Sequence, residues 1–299
     1  MNHLTGLIRM NQLTITTLAD NCLGHPETTA RGLLGEHGLS LLINYKGQYL
    51  LFDTGTGATI IENAKILNVN WNFLDAIVLS HAHPDHTGGL KKVLEATGKV
   101  KVYTHPDIFK PKFVMVPGKE PRYNGLPEAK EVYEKFGAQF ALTYNRIDIA
   151  EGISIVGPIN RKKPTDDSVM PNRYIKDGIK MIPDPFTDEQ ALVIKTAWGL
   201  LIVSGCAHNG LINTIEQVSE IMGEGRIFGL VGGLHLHDYP EIKLSKLANW
   251  LMDQGIRIIY CSHCTGMETI TRLYSLMNGQ VFLNYVGKKL VIDIQGQMG

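Results

Sequence analysis

With 29 Lys and Arg balanced by 29 Asp and Glu, the 299-residue chain can bury a large core but carries no broad field to attract nucleic acid or an anionic membrane. Its 44% hydrophobic content is that of an ordinary globular protein, and no run approaches the roughly 20 apolar residues of a membrane-spanning helix. Four cysteines are too few for a disulfide framework, and residues 1–16 lack the apolar core and cleavage site of a signal peptide, so a reducing cytoplasm is the expected setting.

Residues 12–18 and 39–45 read as strands, and Gly47 turns the second into another at 48–52, a hairpin signal with apolar flanks. The connection 21–38 is rich in Gly, His and Thr and long for a loop, which points to a functional segment. Its Glu36-His37-Gly38 reads equally as a binding element or as plain surface. The hairpin ends in Asp53-Thr54-Gly55-Thr56-Gly57, ahead of a helix over 58–67. Asp53 could cap that helix, help cradle an anion, or hydrogen-bond a metal-bound histidine.

The apolar strand Ala76-Ile77-Val78-Leu79 then empties into Ser80-His81-Ala82-His83-Pro84-Asp85-His86-Thr87-Gly88-Gly89. Imidazoles and a carboxylate are the ligands that hold Zn, Mn and Fe at neutral pH, and packing accounts for no such cluster. His81 and His83 alternate around Ala82 and can face one ion, while Asp85 and His86, redirected by Pro84, can serve a second. Two divalent ions about 3.5–4 Å apart can bridge a water and bring its pKa toward neutrality.

A helix over 90–96 and a strand over 100–103 follow, and then the composition changes. Prolines crowd residues 106–185, with one helix expected at 127–136 and short strands at 140–144 and 153–156. The block reads as a small inserted α+β cap beside the site, outside the main sheet, leaving 1–105 and 186–299 as the main domain. Such a lid excludes water and selects substrate.

Regular α/β alternation resumes with a strand pair at 191–195 and 200–203, helices over 211–222 and 241–252, strands at 227–231 and 256–260, and closing strands within 281–294. Four apolar strands thus end in metal-ligand residue types: His81/His83/Asp85/His86, Cys206/His208, His235/His237 and His263. Ligands bind at the carboxyl ends of strands in α/β sheets, so these junctions are expected to meet at one polynuclear site. His263 lies inside Cys261-Ser262-His263-Cys264; with no second such pair, a four-cysteine zinc site is disfavoured.

Together, His81-x-His83-x-Asp85-His86, the upstream Asp53 and the later strand-end histidines resemble the metallo-β-lactamase superfamily. The resemblance implies an α/β fold, a four-layered αβ/βα sandwich with a two-metal site at one edge of its sheets. It implies that His81, His83 and a later histidine hold the first metal, that Asp85, His86 and His263 hold the second, and that Asp53 orients ligands. Where the family commonly has a bridging Asp, this chain has Cys206; where it has a histidine before the strand pair, it has Asp188-Glu189. His208 is therefore the substitute third ligand, with Cys206 as a thiolate bridge and Glu189 as a ligand left open. Asp20-Asn21-Cys22, Glu36-His37-Gly38-Leu39-Ser40, the segments 205–210 and 232–236, and His263-Cys264-Thr265-Gly266 are similar to one subgroup. That subgroup includes a methanopterin-pathway enzyme joining a dihydropterin to ribofuranosylaminobenzene 5′-phosphate, and some members carry a ferredoxin-like insertion.

The function this implies is a hydrolase using a metal-held hydroxide, at a site with two divalent ions (zinc first, manganese or iron as alternatives), on a small anionic ester or phosphodiester. Asp85 would be ligand and proton acceptor, and His235 an acid or oxyanion donor unless it is a buried core histidine. The transferase is the alternative, with Phe113, Tyr123, Arg161 and Arg173 holding pterin ring and phosphates; an idle metal-binding module is a third. His37 is a further candidate for substrate binding. The expected partner is a small anionic molecule, with no nucleic acid or membrane; homo-oligomerisation stays open.

Overall fold

In Ala191–Thr196 and Gly199–Ser204, successive side chains enter two different cores. Leu192, Ile194, Leu201 and Val203 join Leu50, Phe52, Ala76 and Val78 in one, whereas Ala191, Val193, Leu200 and Ile202 join Leu211, Ile215, Leu244 and Leu247 in another. The period of two sends alternate residues to opposite faces, so a strand apolar at every position is covered on both sides. A third core repeats the pattern on the other half: Leu51, Ile77 and Leu79 meet Ile60, Ala64, Leu90, Val93 and Leu94. Helix, sheet, sheet and helix are therefore stacked in four layers, as expected. The computed structural model describes residues 12–25, 27–163 and 172–294. Residues 1–11, on which most of the signal-peptide reading rests, and Pro164 and Pro171 lie outside the described residues.

The first sheet has seven strands, in the order Lys289–Asp293, Gln12–Ala19, Ser40–Tyr45, Gln48–Phe52, Leu74–Val78, Val100–Thr104 and Ala138–Leu142. The second runs Val281–Leu283, Ile258–Ser262, Ile227–Gly233, Gly199–Ser204, Ala191–Thr196, Ile153–Val156 and Ile147–Ala150. Parallel pairing from Gln48–Phe52 through Ala138–Leu142, and from Gly199–Ser204 through Val281–Leu283, puts many carboxyl ends at one edge of the sandwich.

The expectation that 106–185 stands outside the main sheets is corrected for its middle. Ala138–Leu142 pairs in parallel with Val100–Thr104, and Ile153–Val156 pairs with Ala191–Thr196, carrying Ile147–Ala150 at the edge. Ile153 and Ile155 fill the core between the sheets and Val156 fills the outer one, so this segment cannot leave the sandwich without exposing them. What remains is a four-stranded antiparallel sheet, Lys180–Pro183, Arg173–Asp177, Lys112–Val114 and Arg122–Tyr123. The helix of this stretch is shorter than expected, Lys130–Lys135, and its Tyr133 packs into the core under the first sheet. Among the described residues the small sheet therefore carries no helix layer of its own, and a ferredoxin-like insertion is not formed.

Lys112 fastens the small sheet to the sandwich. Its Nζ is buried and donates to Asp184 Oδ2 at 2.8 Å and Asp188 Oδ1 at 2.7 Å. Asp188 Oδ2 in turn accepts from the Ala82 amide at 2.8 Å, within the histidine-rich turn. Lys112→Met keeps the stem but strands two buried carboxylates, and should cost about 3–5 kcal/mol of unfolding free energy. Urea titration checks this; a loss below about 1 kcal/mol would contradict the anchoring role.

Candidate metal centre

Asp53 sits at the end of Gln48–Phe52 with a left-handed backbone (φ 57°) and no exposed surface. Its Oδ1 accepts the Ser80 amide at 2.7 Å, and its Oδ2 accepts both Ser80 Oγ at 2.7 Å and His86 Nδ1 at 2.7 Å. It does not cap the following helix: the amides of Thr56 and Thr59 are taken by Glu36, from the long loop. Gly205 makes room for this cluster, since a Cβ there would lie 2.1 Å from Ser80 Oγ.

These bonds fix which nitrogen each ring presents. The single Ser80 hydroxyl proton goes to Asp53, so Ser80 Oγ must accept from His81 Nδ1, 2.8 Å away, and His81 Nε2 is left with its lone pair. By the same logic His86 donates Nδ1–H to Asp53 and points Nε2 inward. Burial alone would lower the His86 pKa, but the Asp53 carboxylate overrides it and raises it to about 9. His81 and His83 are held well below the ordinary histidine value, by burial foremost, and so are neutral.

His81 Nε2, His83 Nδ1 and His208 Nε2 converge, with separations of 3.0, 3.2 and 3.2 Å. The His81 Nε2 lone pair thus faces one ring nitrogen each of His83 and His208, an arrangement that a shared cation would suit. A tetrahedral ion with ligands at about 2.0–2.1 Å would set them about 3.3–3.4 Å apart, close to what is seen. Among the described residues, His83 Nε2 is buried with no hydrogen-bond partner.

Beside this triad lie Asp85, His86 and His263. His263 Nε2 is 3.2 Å from Asp85 Oδ2, and its Nδ1 donates to Asn21 Oδ1 at 2.8 Å. The Asn21 amide lies 3.1 Å from His37 Nδ1, which leaves His37 Nε2–H to face Asp85 Oδ2 at 3.4 Å. Burial would push the Asp85 carboxyl up, but His263 and His37 together hold it well below the usual carboxylate range. Cys206 lies between the two sets: its Sγ is 3.1 Å from His86 Nε2, and it groups both with His81 and His208 and with His86 and His263. His235 and Cys264 complete a third group with Cys206. Asp53, Ala207, His235 and His263 are all non-glycine residues at positive φ, a concentration of backbone strain around one site.

Four candidates, Glu189 as a ligand and Arg161, Phe113 and Tyr123 as substrate-binding residues, do not line the cavity. Both Glu189 carboxylate oxygens accept backbone amides, of His208 and of Asn209, so Glu189 shapes the loop that carries His208. With Asp188 on the Ala82 amide and Gln190 bonded to the Leu79 and Ser80 carbonyls, three consecutive side chains or amides brace the ligand-bearing turns. Arg161 donates Nη2 to the His208 carbonyl at 2.8 Å and does not line the cavity. Phe113 and Tyr123 pack edge-to-face against each other, and strand alternation places them on the other side of the small sheet from Lys112 and Arg173. Arg173, His37 and His235 do line the cavity over the centre, of about 830 Å³. Sequence reasoning passed over Ser80 as the relay to His81, Asn21 as the brace for His263, and Phe186, whose ring stacks 4.5 Å from His208. Ser80 directly precedes its partner His81, a signal that could have found it, whereas Asn21 is 242 residues from His263 and only the fold brings them together.

Residues 34–200 match the Metallo-beta-lactamase superfamily. The chain is 32% identical to the 7,8-dihydropterin-6-methyl-4-(beta-D-ribofuranosyl)-aminobenzene-5′-phosphate synthase of Methanocaldococcus jannaschii, over 87% of this chain and 90% of that protein. An uncharacterized protein of the same organism is also 32% identical, over 92% and 98%. Among solved structures, a metal-dependent hydrolase of the beta-lactamase superfamily superposes with a TM-score of 0.78 at 25% identity, covering 94% of this chain and 99% of that one.

Because one carboxylate orients both His81 and His86, Asp53→Asn should weaken zinc binding about 10–100-fold while leaving the fold intact. Competition with a chromophoric chelator measures it; unchanged affinity would contradict the orienting role.

Proposed function

The chain belongs to the metallo-beta-lactamase superfamily, and on that premise we propose that it is a metal-dependent hydrolase of a small anionic ester or phosphodiester. The convergence of His81 Nε2, His83 Nδ1 and His208 Nε2 within 3.2 Å carries this reading. These three would hold one divalent ion, and Asp85, His86 and His263 a second, with the Cys206 sulfur between them. Zinc suits the imidazole-rich donor set, with manganese and iron as alternatives. When bound, such ions supply Lewis acidity and a nucleophile at neutral pH.

The protein's own groups do the rest. Asp53 and Ser80 keep His86 Nε2 and the His81 Nε2 lone pair turned inward before any ligand arrives, so the rings need little movement to receive it. Asp85, kept ionised by His263 and His37, is a ligand and the local proton acceptor. His235, whose ring lies 4.6 Å from that of His208 and lines the cavity, would protonate the leaving oxygen. The small sheet contributes Arg122 and Arg173 to the cavity wall, which supports a small-molecule substrate.

A transferase is the second reading, favoured by the 32% identity to a synthase along most of both chains. In that case the same ions and Asp85 would act on a leaving group while a carbon–nitrogen bond forms. Release of product from ester and phosphodiester substrates without an acceptor supports the hydrolase. Product formed only when a dihydropterin pyrophosphate and an aminobenzene riboside phosphate are both present supports the transferase. Neither activity at full metal occupancy would leave an idle metal-binding module.

His83→Ala should remove metal and reduce turnover by at least about 100-fold, whereas His37→Ala, with a side chain 71% exposed and only donating to Asp85, should keep metal content. Elemental analysis and initial rates check both; full occupancy in the His83 variant would overturn the ligand assignment.

A further inference from the structure

The small sheet presents two cations to the cavity that the metal chemistry does not use. Register places Arg173 opposite Val114 and Val114 opposite Arg122, so the two arginines flank Val114 in one row and share a face. Lys112, two residues along the same strand, shares that face and is buried against Asp184 and Asp188, beneath the histidine-rich turn. The face therefore looks onto the metal centre, and Arg122, Arg173 and Asn124 all line the cavity that contains Asp85, His208 and His263.

Lys112 has two acidic partners, but among the described residues neither arginine has a carboxylate within ion-pair distance. Arg173 Nη1 donates to the Asn172 side chain at 2.8 Å, while its Nε is buried with no hydrogen-bond partner. Burial, first, and the adjacent Arg122 charge work against the Arg173 cation, and the Asp85 and Asp184 charges offset them only in part. Two mutually repelling guanidiniums held at a cavity wall, with donors unspent, are stabilised by an incoming anion. Arginine forks match the oxygens of a phosphoryl group in pairs, and two arginines match its double charge. Met267, Ile270 and Leu283 give one part of the wall an apolar surface.

We propose that Arg122 and Arg173 form a phosphate-binding subsite, so that the substrate carries a terminal phosphate group in addition to the bond that reacts at the metal centre, joined by a less polar body. The proposal rests on the reading of this cavity as an active site and names its substrate class.

The test is calorimetric binding of phenyl phosphate, with benzoate as the carboxylate control, to protein with its metals and to chelator-treated protein. Arg122→Gln and Arg173→Gln should each weaken phenyl phosphate binding about tenfold or more in both forms, and the double variant further, with metal content and unfolding midpoint unchanged. Unchanged affinity in the double variant, no binding by the native protein, or an equal loss for benzoate would each overturn the subsite. Arginine-dependent binding to a protein that turns over no ester, phosphodiester or pterin substrate would leave the subsite standing and remove the catalytic reading. Turnover that ignores both substitutions would do the reverse.

Discussion

A buried carboxylate that accepts three hydrogen bonds sets the geometry on which the rest of this structure depends. Asp53 takes the Ser80 amide, the Ser80 hydroxyl and His86 Nδ1, and through that hydroxyl it also sets the tautomer of His81. Stranding it without those partners would cost several kcal/mol, so the folded chain keeps it paired, and the orientation of the two imidazoles follows from that pairing. The surrounding architecture serves that cluster: parallel strands of both sheets deliver His81, His208 and His263 to one edge, and the segment 188–190 braces the turns from behind.

The two roles of residue 206 follow from the same packing. Gly205 lets the second sheet approach Ser80 and Asp53, and the next residue then projects between the two ligand sets. A thiol there is softer than a carboxylate and, buried as it is, holds its proton more strongly. On the proposed reading its deprotonation would accompany the arrival of cations, and one sulfur would then couple occupancy of the two positions.

Most of the sandwich was legible because its strands are apolar on both faces and its helices follow at regular intervals; the helix at Leu211–Met222 falls at the expected residues. The histidine-rich turn was legible because no packing role explains its composition. Residues 138–156 were misplaced because prolines on either side suggested a separate block, whereas Ile153, Ile155 and Val156 are core residues of the sandwich. Glu189 and Arg161 were misjudged for a different reason. Residue type announces charge, but only the folded chain shows that their polar atoms are already spent on the backbone around His208. Arg122 was passed over because Arg173, which shares its face across the intervening strand, lies about fifty residues away, and pairing register is not written in either strand alone.

Crystals of the protein grown with zinc and measured on either side of the zinc absorption edge would test the central claim most directly. Two anomalous peaks are expected, one bounded by His81 Nε2, His83 Nδ1 and His208 Nε2, the other by Asp85, His86 Nε2 and His263 Nε2, with Cys206 Sγ facing both. A single peak held by Cys206, His235 and Cys264, or none at the histidine triad, would contradict the account.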